Sequence, residues 1–352
     1  MKAAPVLAAL CEHAGVRQTL VHTGQHYDYA MSEVFFQQLG LPAPDLNLEV
    51  GSGTHTSQTA QTMLRLESVL VKHKPDLVIV YGDVNSTLAA ALVCAKLNIP
   101  FAHVEAGLRS FDRTMPEEIN RLLTDQIADL LFTPSKDADA NLLREGVAQA
   151  KIHLVGNVMI DTIIRLLPIA LQKWQQNHMV VEDLRLEQGR YILVTLHRPS
   201  NVDDPEMLCS IMNALSEISN DMMVVFPMHP RTRQRLNSLN MVFNSSLQLI
   251  EPLGYLEFLA LQQYAALVIT DSGGVQEETT FLGVPCLTVR ENTERPITVT
   301  MGTNILVGRN MERLIAETHA ILNGNIKRGI VPPLWDGHAA ERIADIIIRW
   351  MA

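Results

Sequence analysis

Residues 77–107 read LVIVYGDVNSTLAAALVCAKLNIPFAHVEAG. An apolar run, Leu77–Tyr81, ends at Gly82-Asp83; an Ala- and Leu-rich stretch, Ser86–Lys96, follows, and the chain returns through Pro100 to a second apolar run, Phe101–Val104. Short continuous apolar runs between turn signals suit strands buried on both faces, and a helical stretch between two of them is the crossover that parallel pairing requires. The stretch therefore predicts a strand–helix–strand unit and a parallel α/β sheet.

The same alternation extends in both directions. Candidate strands fall at Thr19–Thr23, Leu130–Thr133, Ile152–Val155, Tyr191–Leu196, Met222–Pro227, Leu247–Ile250, Leu267–Thr270 and Val284–Val289, with helical patterns such as Thr59–His73 and Glu117–Ala128 between them. The rhythm lapses between Asp161 and Arg190, a polar helical stretch read as strandless. That lapse divides the chain into two doubly wound α/β domains, residues 1–162 and 163–335. Two such domains facing one another place the carboxyl ends of both sheets around a central cleft, where open α/β sheets bind their ligands.

Composition narrows the function. The chain has 352 residues, with 28 Lys+Arg against 38 Asp+Glu, a formal charge of −10. With 47% hydrophobic and 19% charged residues it is neither disordered nor fibrous. The acidic balance argues against a nucleic-acid partner, because no basic face neutralises phosphates. Cys11, Cys94, Cys209 and Cys286 lie far apart, without metal-ligand spacing, and read as reduced thiols. Residues 1–11 lack the long apolar core and small pre-cysteine residue of an export signal and read as a helix. No run approaches the ~18 apolar residues of a membrane span. A soluble, cytoplasmic protein is expected, with no membrane partner.

Chemistry gathers at strand ends. Asp271-Ser272-Gly273-Gly274 follows the strand at 267–270, and small residues there let a phosphate approach a helix N-terminus. An ordinary helix cap at Asp271 or Ser272 explains the same residues equally well. Glu278, one turn on, is placed to take sugar hydroxyls. Asp83 and Glu105 end neighbouring strands, and Glu117 opens a helix behind Pro116, where Glu117 and Glu118 also suit the helix dipole. Several carboxylates in one dry cleft split their pKa values, which makes acid and base roles available near neutral pH. His197, beside Arg198, closes the first strand of the second half and is a candidate for proton transfer, with a satisfied structural histidine as the alternative. His229 repeats the placement one strand later as a ligand-positioning residue. Gln25 and His26 follow the strand ending at Thr23, and Arg295 follows the strand at 284–289. No motif calls for a metal, and no G-x-G-x-x-G calls for a dinucleotide, so no cofactor is expected.

Taken together these motifs resemble the non-hydrolysing UDP-N-acetylglucosamine 2-epimerase family. They are GQHYD at 24–28, YGD at 81–83, HVEAGLR at 103–109, PEEINR at 116–121, TLHR at 195–198, DSGGVQEE at 271–278 and RENTERP at 290–296, in family order and across almost the whole chain. The resemblance implies a GT-B fold of two Rossmann-like domains, with a terminal helix, 336–352, returning to the first and UDP held by the second. It implies a homodimer serving polysaccharide biosynthesis. It also implies reversible inversion at C2, UDP-GlcNAc to UDP-ManNAc, by elimination and re-addition of UDP. Asp83, Glu105, Glu117 and His197 are then the catalytic set, the division between acid and base remaining open. Ser272, Gly273, Gly274, Glu278, Arg295, Gln25, His26, Arg198 and His229 are then substrate-binding. Family members begin with a strand and a Gly-Thr-Arg-Pro-Glu loop before the helix that Met1–Pro5 matches, so that strand and its arginine are expected to be missing here. Of a second, regulatory UDP-GlcNAc site only Gln25 and His26 match, Gln61 standing where an arginine is expected. The competing readings are an epimerase of a modified UDP-sugar of the 2,3-diacetamido uronic acid type, a hydrolysing 2-epimerase, a GT-B glycosyltransferase and an inactive sugar-nucleotide-binding homologue.

Overall fold

The computed structural model describes residues 1–24, 38–177, 180–181, 184–239, 241 and 243–352. The chain divides into two compact units, Met1–Thr162 with Pro333–Ala352, and Ile163–Pro332. The first holds a short parallel pair, β1 (Val21–His22) and β2 (Leu46–Asn47), and a four-stranded parallel sheet. That sheet runs β3-β4-β5-β6, from Val78–Tyr81 through Phe101–Val104 and Leu130–Thr133 to Ile152–Leu154. Successive side chains leave its opposite faces. Val104 and Phe132 pack with Val6 and Leu10 of helix Ala3–Cys11 and with Ile343 and Ile347 of helix Ala339–Met351. Phe101 and Leu131 pack on the other side with Leu66, Leu70, Ala91 and Cys94. Burial on both faces is why these strands read as continuous apolar runs.

The terminal helix is capped from a distance. Its N-cap, His338, makes no side-chain bond to the helix amides, and the first-turn amides of Ala339 and Ala340 donate instead to Asp161, at 3.2 and 2.7 Å. Burial raises the Asp161 carboxyl above its ordinary range, against the pull of those two amides.

In the second unit a short antiparallel pair comes first, β7 (Val180–Val181) with β8 (Leu184–Arg185). The stretch between Asp161 and Arg190, expected to lack strands, therefore carries two. Strands of two residues are too short to show any periodicity. Six parallel strands follow: β9 (Tyr191–Thr195), β10 (Met223–Pro227), β11 (Leu247–Ile250), β12 (Leu267–Thr270), β13 (Cys286–Thr288) and β14 (Asn304–Leu306). β14 escaped the sequence reading because its apolar run is brief and opens on Asn304. That side chain is buried and accepts from Thr288 Oγ1 at 2.7 Å. The sheet order is β11-β10-β9-β12-β13-β14, the doubly wound order in which the chain reverses direction between β9 and β12. Its core includes Ile192, Val194, Ile211, Leu215, Phe226, Ile269, Leu287 and Leu314. No helix among the described residues is long and apolar enough to cross a membrane.

Candidate functional site

In the first unit the carboxyl ends of β3 and β4 carry Asp83 and Glu105. Glu105 adopts φ +73°, a left-handed conformation rare for a residue with a side chain and common where function imposes strain. Its amide donates to the Phe132 carbonyl at 3.1 Å, so the turn is tied to β5. Its carboxylate is buried and ion-paired with Lys2. Gly82, at φ +65°, faces that pair: a Cβ there would lie 2.8 Å from Lys2 Nζ and 3.2 Å from Glu105 Oε2. Any side chain at 82 would therefore push the pair apart.

Asp83 faces the helix Pro116–Ile127. Arg121 donates to its Oδ2 through Nε at 3.0 Å and Nη2 at 2.6 Å, and Asn120 donates to its carbonyl at 2.8 Å. Glu117 stands half-buried in the first turn of that helix. Glu118, which sequence alone read as a dipole partner, is instead buried. It accepts from the amides of Ser110 and Phe111, both at 2.9 Å, and from Arg121 Nη1 at 2.6 Å. The helix thus straps the loop after β4. Lys2, Asn120 and Arg121 escaped the sequence reading, since nothing in the local pattern marks a cation as the partner of a distant strand end. Near Asp83, His55, Thr59, Met63, Asn85, Ile119 and Asn120 line an open pocket of about 480 Å³.

In the second unit the site residues collect at the reversal point between β9 and β12. His197 follows β9, and Asp271 to Gly274 follow β12. Asp271, fully enclosed, is the hub. It accepts from the amide of His197 at 3.1 Å, the amide of Arg198 at 3.0 Å and Asn201 Nδ2 at 3.0 Å, and lies 3.0 Å from His197 Nδ1. Burial raises its carboxyl, and the bonds from His197, Arg198 and Asn201 outweigh that, holding it below the usual carboxylate range. The His197 side chain remains 59% exposed, with Nδ1 turned toward Asp271.

The helix Gly273–Leu282 begins with Ser272 at its N-cap and no side-chain cap. Its first two glycines differ. A Cβ on Gly273 would lie 2.3 Å from Arg295 Nη1 and 2.6 Å from Glu294 Oε1, whereas one on Gly274 meets nothing nearer than Ser272 Oγ at 4.0 Å. Arg295 is buried and paired with Glu294 at 2.5 Å and with Glu277 at 3.0 Å. Glu294 also takes Arg290 at 2.7 Å and lies 3.7 Å from Arg198. Glu278 lies deeper, accepting from the Tyr255 hydroxyl at 3.0 Å and Gln262 Nε2 at 3.1 Å. Burial pushes its carboxyl up to about 8. His229 is exposed beyond β10. Gln25 and His26 lie outside the described residues.

The family model described as UDP-N-acetylglucosamine 2-epimerase matches residues 8–348. The chain belongs to that family. It is 47% identical to a Methanocaldococcus jannaschii UDP-N-acetylglucosamine 2-epimerase, the match covering 99% of this chain and 95% of the relative. It is 44% identical to a Pseudomonas aeruginosa UDP-2,3-diacetamido-2,3-dideoxy-D-glucuronate 2-epimerase, over 99% of this chain and 96% of the relative. Among solved structures, the M. jannaschii epimerase in complex with UDP-GlcNAc and UDP superposes with a TM-score of 0.90, covering 99% of this chain and 96% of that one. The Neisseria meningitidis epimerase bound to UDP-GlcNAc superposes at 0.87 with 29% identity, covering 99% and 96%. With its two parallel-sheet units, this epimerase-family chain has the GT-B class of fold.

Proposed function

We propose that the chain interconverts UDP-GlcNAc and UDP-ManNAc. The observation that carries this reading is the 47% identity to the M. jannaschii epimerase across 99% of the chain. The C2 hydrogen of the sugar is not acidified by a carbonyl, so direct removal and return is chemically poor. The reading is therefore an elimination: a base takes the C2 proton, the C1–O bond breaks, and its electron pair leaves with UDP to give a 2-acetamidoglucal. Re-addition of UDP at C1, with a proton delivered to the opposite face of C2, completes the inversion. Asp83, Glu105, Glu117 and His197 are the groups proposed to move protons. The first turn at Ser272–Gly274, with Arg295 and Arg198 nearby, is proposed to receive the departing diphosphate, because a helix N-terminus and its dipole favour an anion there. Gln25, His26, His229 and Glu278 are proposed to hold the rest of the nucleotide sugar. The same reading takes the protein as a cytoplasmic homodimer, without metal or organic cofactor, supplying a precursor for polysaccharide synthesis.

The 44% identity to the diacetamido-glucuronate epimerase supports a second substrate, a modified UDP-sugar processed by the same chemistry. One experiment separates the readings: incubation with each UDP-sugar in deuterium oxide, following H2 by NMR. Exchange at C2 with UDP-ManNAc accumulating is expected. Turnover confined to the diacetamido substrate selects the second reading, and free ManNAc selects a hydrolase. Transfer to an acceptor without exchange selects a glycosyltransferase. UDP binding with no exchange on either sugar selects an inactive binding homologue.

A further inference from the structure

Besides Glu118, the helix Pro116–Ile127 carries a second buried carboxylate that the proton-transfer scheme does not use, Asp125, 1% exposed. Its Oδ2 accepts the Gly107 amide at 3.0 Å and lies 2.7 Å from Arg109 Nη1. Its Oδ1 lies 2.6 Å from Nδ1 of His103, a β4 residue with no exposure. The opposite ring nitrogen of His103, Nε2, lies 2.7 Å from the Gly82 carbonyl oxygen.

A carbonyl oxygen only accepts, so Nε2 carries a proton. Burial raises the Asp125 carboxyl, and the charges and hydrogen bonds of His103 and Arg109 overcome this and hold it below the usual carboxylate range. Independently of His103, Oδ2 faces two groups that only donate, the Gly107 amide and the buried Arg109 guanidinium, which pairs with an ionised acid; as a carboxylate Asp125 only accepts, so Nδ1 carries a proton as well. The ring donates at both ends. Charges balance locally, His103 and Arg109 against Asp125 and Glu145, with Arg109 reaching Glu145 at 2.8 and 2.6 Å. Without that balance the buried ions would be costly to hold.

Gly82 precedes Asp83, and Gly107 follows Glu105 by two residues. One carboxylate thus anchors both strand-end turns, the first through His103 and the second directly. We infer that Asp125 is a positioning residue which, with His103, sets the backbone that carries Asp83 and Glu105. The inference rests on the reading of those two carboxylates as proton-transfer groups. Neither Asp125 nor His103 contacts substrate in it.

The test is Asp125→Asn, which puts an N–H₂ group where one of the acceptors stood. In folded protein kcat for UDP-GlcNAc epimerisation is expected to fall about 100-fold, the cost of a small misplacement of reacting groups. KM is expected to stay within about threefold, because ground-state binding is untouched. Nitrogen-15 NMR is expected to show two ring N–H signals for His103 in the wild type and one in the variant. His103→Asn removes the clamp on the Gly82 carbonyl while leaving Asp125, and carries the same kinetic test should Asp125→Asn not fold. A wild-type His103 with a single ring N–H, or folded variants turning over within about threefold of wild type, overturns the inference. Should the wild type itself fail to turn over, the proposed function falls, and the ring signals together with the Arg121 Nε–H bonded to Asp83 decide the positioning role. Hydrogen exchange of that N–H about tenfold faster in Asp125→Asn supports it, and an unchanged rate overturns it.

Discussion

Both units bring charge to the carboxyl ends of a parallel sheet, and they secure it differently. In the first, Asp83 and Glu105 are carboxylates held against the side chains of Arg121 and Lys2, on turns where Glu105 and Gly82 both take positive φ. In the second, the carboxylate at the sheet's reversal point, Asp271, is enclosed and bound by backbone amides, while Arg295 is pinned between Glu277 and Glu294. A carboxylate held by side chains, such as the partly exposed Asp83, can gain or lose a proton, whereas the backbone amides around Asp271 stay fixed. The first arrangement suits proton transfer and the second suits holding an anion that departs and returns.

The largest effect expected from that contrast is catalytic. Asp83→Asn or Glu105→Gln should lower H2 exchange about 10²- to 10⁴-fold, the range of general acid–base contributions, while UDP affinity by calorimetry stays near wild type. Near-normal exchange by folded variants would remove proton transfer from the first unit and break the contrast.

Within the second unit the adjacent glycines sharpen it. Gly273→Ala must displace Arg295 and Glu294 and should cost about 1–3 kcal/mol in chemical denaturation, the range for overpacking. Gly274→Ala fills open space and should keep the wild-type Tm. Its effect should fall on UDP, with Kd raised about tenfold, or about 1.4 kcal/mol. Equal losses of stability at both positions would mean that the helix start is structural only.

Glu278 offers a test by pH. Its folded pKa of about 8 lies above its ordinary value of 4.5, because it is buried. The folded state therefore binds the proton more tightly than the unfolded state. Stability from the protonated acid is complete below the unfolded value and declines as pH rises through 8. Glu278→Gln, which removes the titration, should gain on wild type by on the order of 2 kcal/mol between pH 6 and pH 9. A difference independent of pH would place the ionised form in the fold already.

The smallest expected effect is on stability alone. Asp161→Ala leaves the first amides of the terminal helix without their acceptor and should cost about 1 kcal/mol, read as a lowered Tm with kcat per folded molecule unchanged. Loss of turnover in folded protein would tie that helix to the chemistry.

The sequence by itself determined the strand–helix alternation, the division into two α/β halves and the strand ends at which Asp83, Glu105, His197 and Asp271–Gly274 stand. These follow from local facts: continuous apolar runs mark strands buried on both faces, and small or acidic residues at their ends mark turns. It missed β14 and the two-residue strands β2, β7 and β8, where the apolar signal is too short to carry a period. The partners were decided by tertiary structure alone. Lys2 meets Glu105 across 103 residues, Arg121 meets Asp83 across 38, and Asp271 meets His197 across 74. No local pattern encodes such separations, because they arise only when sheet order brings distant strand ends side by side. The same holds for Asp125 and Glu118. Packing their helix beside the sheet buries both and makes their hydrogen bonds obligatory.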